Sequence, residues 1–259
     1  MSDNHVLYLG DTALSGAAAY LAGLMTAFGI GYDYLPSDQT LSSEMASQRR
    51  KLFVLSDYPS ARMLPAVQEI VLKQVHDHAA GLLMIGGWES FRGHGGDWNN
   101  TPIGDALPVE ISTEDDRINC DQPALILAGE AHEITAELPW AARPPTIGGF
   151  NRVIARPGSA TPLLVQRFSA AYEAGRFQFT PRDQHPLLVI GAHGFGLTAA
   201  LMTDLSPHWV GGFVDWGAGN AERVTAQAPG SWQIEVGNFY SQFIANLLTW
   251  TGQLRTTPV

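Results

Sequence analysis

In the first hundred residues, short apolar runs alternate with stretches of helical periodicity, and most of the runs stop at Gly or Pro. Val6-Leu7-Tyr8-Leu9 ends at Gly10, Tyr32 to Leu35 stops at Pro36, Leu52-Phe53-Val54-Leu55 follows, and Leu82-Leu83-Met84-Ile85 ends in Gly86-Gly87. Such uniformly apolar runs suit strands buried on both faces. Between them, Leu21, Leu24, Met25 and Phe28 recur at helical spacing, as do Leu64, Val67, Ile70, Val71 and Val75. Ser15 is the expected N-cap of the first helix and Gly29 its terminating glycine. Pro65 falls near the start of the second helix, where a missing N–H does no harm. The alternation predicts right-handed crossovers and an α/β fold with a doubly wound, mostly parallel sheet.

The texture changes between about residues 105 and 185. Helical periodicity fades, Pro and Gly become frequent, and strand-like pieces appear at Ala124 to Leu127, Arg152 to Ala155 and Leu163 to Val165. This stretch reads as a β-rich insertion within one domain spanning 1–259, because no linker marks a boundary. Beyond it, Leu187-Leu188-Val189-Ile190 and Leu197 to Met202 flank Gly191-Ala192-His193-Gly194-Phe195-Gly196, a β-hairpin pattern. The glycines there lack the Lys and the following helix of a phosphate loop. Asn238 to Trp250 closes the chain with an amphipathic helix.

Composition removes several function classes. The formal net charge is −10 and Lys and Arg form no stripe, so a nucleic-acid partner is not expected. Glu114-Asp115-Asp116 reads as a solvated turn. Cys120 is the one cysteine, so no internal disulfide can form, in keeping with a reducing, cytoplasmic setting. No signal peptide or membrane span is recognised. His76 and His78 are two apart on a helix and do not share a face, so no metal site is expected there, and no cofactor is expected. A charged fraction of 15% with seven Trp residues suggests a homo-oligomer, with Trp209, Phe213, Trp216 and Trp232 as aromatics at risk of exposure.

In an open parallel sheet, ligands sit beyond the carboxyl ends of the strands. Four loops should meet there: Gly10-Asp11-Thr12, Ser56-Asp57-Tyr58-Pro59, Gly86-Gly87-Trp88-Glu89-Ser90, and Thr203-Asp204-Leu205-Ser206-Pro207-His208. The third continues through Phe91, Arg92, His94, Asp97, Trp98, Asn99 and Asn100, a density of aromatic and polar groups suited to binding a polar molecule. The bland alternative is a loop whose indoles cover the sheet edge and whose Arg92 pairs with Glu89 or Asp97. Glu89 and Asp97 are also a conceivable acid/base pair. Ser90 lacks the flanking glycines of a nucleophile elbow.

At this loop a family resemblance emerges. Gly86-Gly87-Trp88-Glu89-Ser90-Phe91, Gly95-Gly96-Asp97-Trp98 and Thr101-Pro102-Ile103-Gly104 resemble the class I glutamine amidotransferase-like family, related to the trehalose-utilisation type. Pro186-Leu187-Leu188-Val189, Gly194-Phe195-Gly196 and Thr203-Asp204-Leu205-Ser206-Pro207-His208-Trp209 fit it too. The resemblance covers most of the chain and implies a flavodoxin-like core. True class I amidotransferases use a Cys on the turn after a strand, with His and Glu nearby. Here that strand should be Leu82 to Ile85, and the turn after it holds Gly86 and Gly87. Val210 stands where the resemblance implies Glu, so His208 alone is a possible catalytic remnant.

Two main expectations follow. The first is a binder or modifier of a small polar, sugar-like ligand, with Gly86, Gly87, Trp88, Glu89, Ser90, Arg92, Asp97 and Trp98 on one side and Asp57, Tyr58, Asp204 and His208 opposite. The second is a catalytically silent interaction or oligomerisation module. A residual amidase using Cys120 is the third.

Overall fold

The five most deeply buried apolar runs lie side by side. In the computed structural model, which describes residues 5–219, 221–228 and 230–254, β1 (His5–Gly10) leads through α1 (Ala18–Ala27) to β2 (Gly31–Leu35) and α2 (Ser43–Ser47). Then come β3 (Leu52–Ser56), α3 (Pro65–His78), β4 (Gly81–Ile85), α4 (Pro102–Ala106) and the short β5 (Val109–Glu110). Next are β6 (Arg117–Ala128), β7 (Thr146–Asn151), β8 (Ile154–Ala155), β9 (Ala160–Glu173), β10 (Arg176–His193) and β11 (Gly196–Leu201). The chain ends through α5 (Pro207–Val210), β12 (Ala221–Thr225), β13 (Gln233–Gly237) and α6 (Asn238–Gly252).

The result is a mixed α/β protein built on a nine-stranded sheet in the order β2-β1-β3-β4-β11-β10-β9-β6-β7. The strands β2, β1, β3, β4 and β11 run parallel. The rest join antiparallel. The stretch read as an insertion therefore extends the main sheet: once β11 enters beside β4, the hairpin with β10 carries the hydrogen-bond ladder outward. The hairpin turns at Gly194-Phe195, as the glycine pattern predicted. From β1 the chain steps one way to β2 and the other way to β3. Right-handed crossovers then put α1 and α3 on opposite faces. The helix α6 packs on α1, β3, β4 and β11, and α3 packs on α2, α4 and β11.

Local signals mostly hold. Pro65 opens α3, and Val67, Val71 and Val75 are buried, while Leu64 is exposed. Ser15 does not cap α1: the helix begins at Ala18 behind Ala17, with no side-chain cap. The aromatics Trp209, Phe213 and Trp216 are buried rather than exposed, and Trp140 and Phe243 pack with Phe213 and Trp216; Trp232 is exposed. The acidic run also differs from expectation, because Asp116 is fully buried. Among the described residues, no helix is long and apolar enough to cross a membrane.

Candidate functional site

The strand order reverses between β1 and β3, and the loops leaving their carboxyl ends open a crevice there. Both loops turn on an aspartate in the left-handed region, Asp11 at φ 46° and Asp57 at φ 45°. Aspartate tolerates that conformation better than most residues, but it is sparsely populated and tends to mark functional turns. The loops are also tied together, since Asp11 N–H donates to the carbonyl of Ser56 at 2.9 Å. Gly10 permits this approach, because a Cβ there would overlap that same carbonyl.

A pocket of about 290 Å³ lies above these turns. Asp11, Thr12, Ala17 and Ser37 form one wall and Asp57, Trp88, Glu89 and His94 the other. Asp11 is buried; its carboxylate accepts a short hydrogen bond from the Tyr8 hydroxyl, and Tyr34 donates to its carbonyl at 2.6 Å. Burial, and then the carboxylate of Asp204, push Asp11 up to about 7. Burial also drives Asp57 well above the usual carboxylate range, with Asp204 and Asp11 adding to it. Glu89 is raised by burial as well. Asp11, at about 7, can therefore donate as well as accept near neutral pH, and Asp57 and Glu89 are shifted in the same direction.

Asp204 lies behind this pair, fully satisfied from its own turn. Its Oδ1 accepts from the N–H groups of Leu205 at 2.6 Å and Ser206 at 3.1 Å, and its Oδ2 accepts from the Ser206 hydroxyl at 2.8 Å. Its burial raises its pKa too. Among the described residues, no group of three or more His, Cys, Asp or Glu is arranged to hold a metal ion.

The turn after β4 is held from outside the parallel core. Asn151, at the end of β7, accepts from Gly87 N–H at 2.9 Å and donates to Gly87 O at 3.2 Å. It also donates to Asp116 Oδ1 at 2.8 Å, while Arg92 N–H donates to Asp116 Oδ2 at 2.9 Å. Burial pushes Asp116 up to about 6. Neither glycine of this turn has room for a side chain. A Cβ at Gly86 would overlap the Met202 carbonyl, and one at Gly87 would overlap the carboxylate of Asp57. Asp57 is fixed in that position, since its Oδ1 accepts from Glu89 N–H at 2.8 Å and its own N–H donates to Ser90 Oγ at 3.1 Å.

The residues expected at the site divide into two groups. Asp57, Trp88 and Glu89 line the pocket, Gly86, Gly87 and Ser90 belong to the turn that carries Trp88 and Glu89, and Asp204 is near enough to raise Asp11 and Asp57. His208, on α5, is exposed, with its ring 5.8 Å from that of Trp88. Arg117 covers Trp88, its guanidinium 4.5 Å from the ring centroid. The second group is directed elsewhere. Tyr58 is buried, with its hydroxyl on the backbone of Leu41, Gln39 and Arg62, and Trp98 is buried and donates to Tyr58 O at 2.8 Å. Arg92 and Asp97 form an ion pair with each other, as the bland reading had it. Cys120 is half-buried on β6, where burial raises its thiol pKa and Arg167, Asp121 and Asp183 are its charged neighbours.

Asp11, Thr12, Ala17, Ser37 and His94 in the lining, and Asp116 and Asn151 behind it, were not among the residues expected at the site. Asp11 sat in a loop already singled out, and its place directly after a strand-ending glycine was the available signal. For Asn151 there was none, because its partners lie 64 and 35 residues away.

Fold and crevice together define a mixed α/β protein with an acidic pocket at the carboxyl edge of its parallel strands. The chain belongs to the family described as "Putative glutamine amidotransferase", whose model matches residues 38–224. Two cytoplasmic proteins of known structure from Salmonella typhimurium share the fold. STM1381, from strain LT2, is 22% identical with a TM-score of 0.69, covering 95% of this chain and 99% of its own. STM3548 is 24% identical with a TM-score of 0.69, covering 95% and 98%. The beta-galactosidase of Rahnella sp. R3 is similar over 96% of this chain and 31% of its own, at 11% identity and a TM-score of 0.50. No curated protein matches the chain.

Proposed function

We propose that this chain is a non-hydrolysing member of the amidotransferase-like family that binds a small, hydroxyl-rich, sugar-like molecule in the crevice between Asp11 and Asp57. One observation carries the reading: the carboxylate of Asp57 fills the space that a side chain on the Gly87 turn would need. The family's thiol would project from that turn, so here a fixed carboxyl group faces the crevice instead. The order β2-β1-β3-β4-β11 supports a flavodoxin-like core, which puts the crevice where such folds bind ligands.

The lining suits hydroxyl groups. A carboxyl such as Asp11, raised to about 7, offers a donor as well as an acceptor, which is what a polyol rim requires. At about 290 Å³, the pocket sits at the small end of ligand sites and suits a single sugar ring rather than a chain. Trp88 contributes an apolar edge, with Arg117 occupying part of its ring surface. Glutamine hydrolysis through Cys120 is disfavoured, because burial raises that thiol and its charged neighbours belong to β6, β9 and β10.

Calorimetric titration with monosaccharides, polyols and free amino acids tests the reading. At least one polyol should bind, with affinity lowered tenfold or more in Asp57→Asn and Trp88→Ala. Binding by none of them, or glutamine-dependent ammonia release that Cys120→Ala abolishes, overturns it. The second reading, a silent assembly module, is favoured by the aromatic ribbon described next.

A further inference from the structure

The strands β9 and β10 run well past the sheet. Beyond Gln166, β9 pairs only with β10, and β10 meets β11 only from Leu188 onward, so residues 168–181 form a free two-stranded ribbon among the described elements. Its register is Phe177 opposite Tyr172, Phe179 opposite Ala170 and Pro181 opposite Phe168. Directly paired residues share a face, and alternate residues along a strand do too. One face is therefore entirely apolar: Phe168, Ala170, Tyr172, Phe177, Phe179 and Pro181. The other carries Arg167, Ser169, Glu173, Arg176, Gln178 and Arg182.

An alternating pattern of this kind belongs to strands with one covered face. Here that face is open. Tyr172, Phe177 and Phe179 are 66%, 67% and 65% exposed. Their rings pack on one another, with centroids 5.0 Å apart for Tyr172 and Phe177 and 6.3 Å apart for Phe177 and Phe179. A lone two-stranded ribbon is marginally stable in water and needs a third layer.

We propose that the apolar face of this ribbon docks against the same face of a second copy of the chain, forming a symmetric dimer. Area supports a second copy. Aromatic side chains offer about 150–250 Å² each, so three of them two-thirds exposed leave roughly 300–500 Å² per chain. Two such faces bury roughly 600–1,000 Å² from those rings alone, and Phe168, Ala170 and Pro181 bring the total to the scale of a specific interface, about 1,200 Å². A two-fold contact needs one self-complementary patch, and a flat aromatic ladder meets that condition.

Charge supports it as well. Residues 166–182 hold three arginines against one glutamate, whereas the rest of the chain holds twelve Lys and Arg against twenty-four Asp and Glu. Two acidic chains would thus meet through a segment outside their acidic excess, with its charged side chains on the face turned away from the contact.

Sedimentation equilibrium of the full chain across the micromolar range tests this, alongside a Tyr172→Thr/Phe177→Thr/Phe179→Thr variant. Threonine keeps strand propensity while removing the apolar area. The wild type should have about twice the 28.0 kDa chain mass. The variant should be a monomer with an unchanged far-ultraviolet spectrum, and Gln178→Ala on the opposite face should stay dimeric. If the triple variant fails to fold, Phe179→Thr alone should raise the dissociation constant at least tenfold. A wild-type monomer at every concentration overturns the proposal, as does a triple variant that keeps the wild-type mass. A monomer that pellets with phosphatidylcholine vesicles overturns it in favour of a lipid surface.

Discussion

The carboxylate of Asp57 stands where a side chain on Gly87 would project, and Glu89 N–H holds it there at 2.8 Å. The turn after β4 and the turn after β3 therefore exclude one another's side chains. Absence of a thiol at this turn is part of its packing, and restoring one requires moving Asp57.

Gly87→Cys should consequently destabilise the protein by about 1–3 kcal/mol, the usual cost of forcing atoms into a filled site. It should release no ammonia from glutamine. Urea unfolding and a coupled ammonia assay check both. A variant of wild-type stability that hydrolyses glutamine would show that the turn can accept the thiol.

The pH dependence follows from Asp11. Its folded value of about 7 lies above the ordinary 3.8, so the folded chain keeps a proton that the unfolded chain releases between those values. That contribution is present below 3.8 and is lost as pH rises through about 7. Asp57 and Asp116, both raised by burial, act with the same sign. Unfolding free energy should fall over this window more steeply in the wild type than in Asp11→Asn. At pH 8 the variant should be the more stable, by about 1–3 kcal/mol. Parallel curves for the two proteins would contradict the assignment.

Asn151 joins Gly87 to Asp116 through three hydrogen bonds and is fully buried. Asn151→Ala takes from the Gly87 amide and from Asp116 Oδ1 their Asn151 partners, leaving Asp116 only the Arg92 amide on Oδ2, at a cost of about 2–4 kcal/mol. Calorimetry should show Tm lowered by about 5–15 °C. Any polyol bound by the wild type should bind more weakly, since the turn carrying Trp88 and Glu89 loses its anchor.

Arg92 and Asp97 give the opposite expectation. Their ion pair is on the surface and outside the pocket lining, so Asp97→Asn, which keeps a residue tolerant of the left-handed φ of 50°, should cost less than about 1 kcal/mol. Ligand affinity should be unchanged. A tenfold loss would return this pair to the site.

The parallel half of the fold was legible in the sequence because its strands are buried on both faces. That leaves unbroken apolar runs at β1, β3 and β4, each leading into a turn at the sheet edge. The same logic pointed to Asp57, Trp88, Glu89, Asp204 and His208, since residues just past parallel strands converge wherever those strands are neighbours. Local chemistry also sufficed for the Pro65 helix start and the Gly194 hairpin.

What only the tertiary structure decided depends on pairs distant in the chain. Asp116 reads as solvated in a run of three acids, yet Asn151 and the Arg92 amide bury it. Tyr58 and Trp98 read as ligand contacts, yet Trp98 donates to the Tyr58 carbonyl and the Tyr58 hydroxyl bonds to the backbone of Gln39, Leu41 and Arg62. Composition alone does not tell an aromatic that fills a core, such as Trp216, from one left bare, such as Phe177. A side chain's type sets what it can bond to, but burial is set by which segments meet above it, and those meetings are made by strands and loops tens of residues apart.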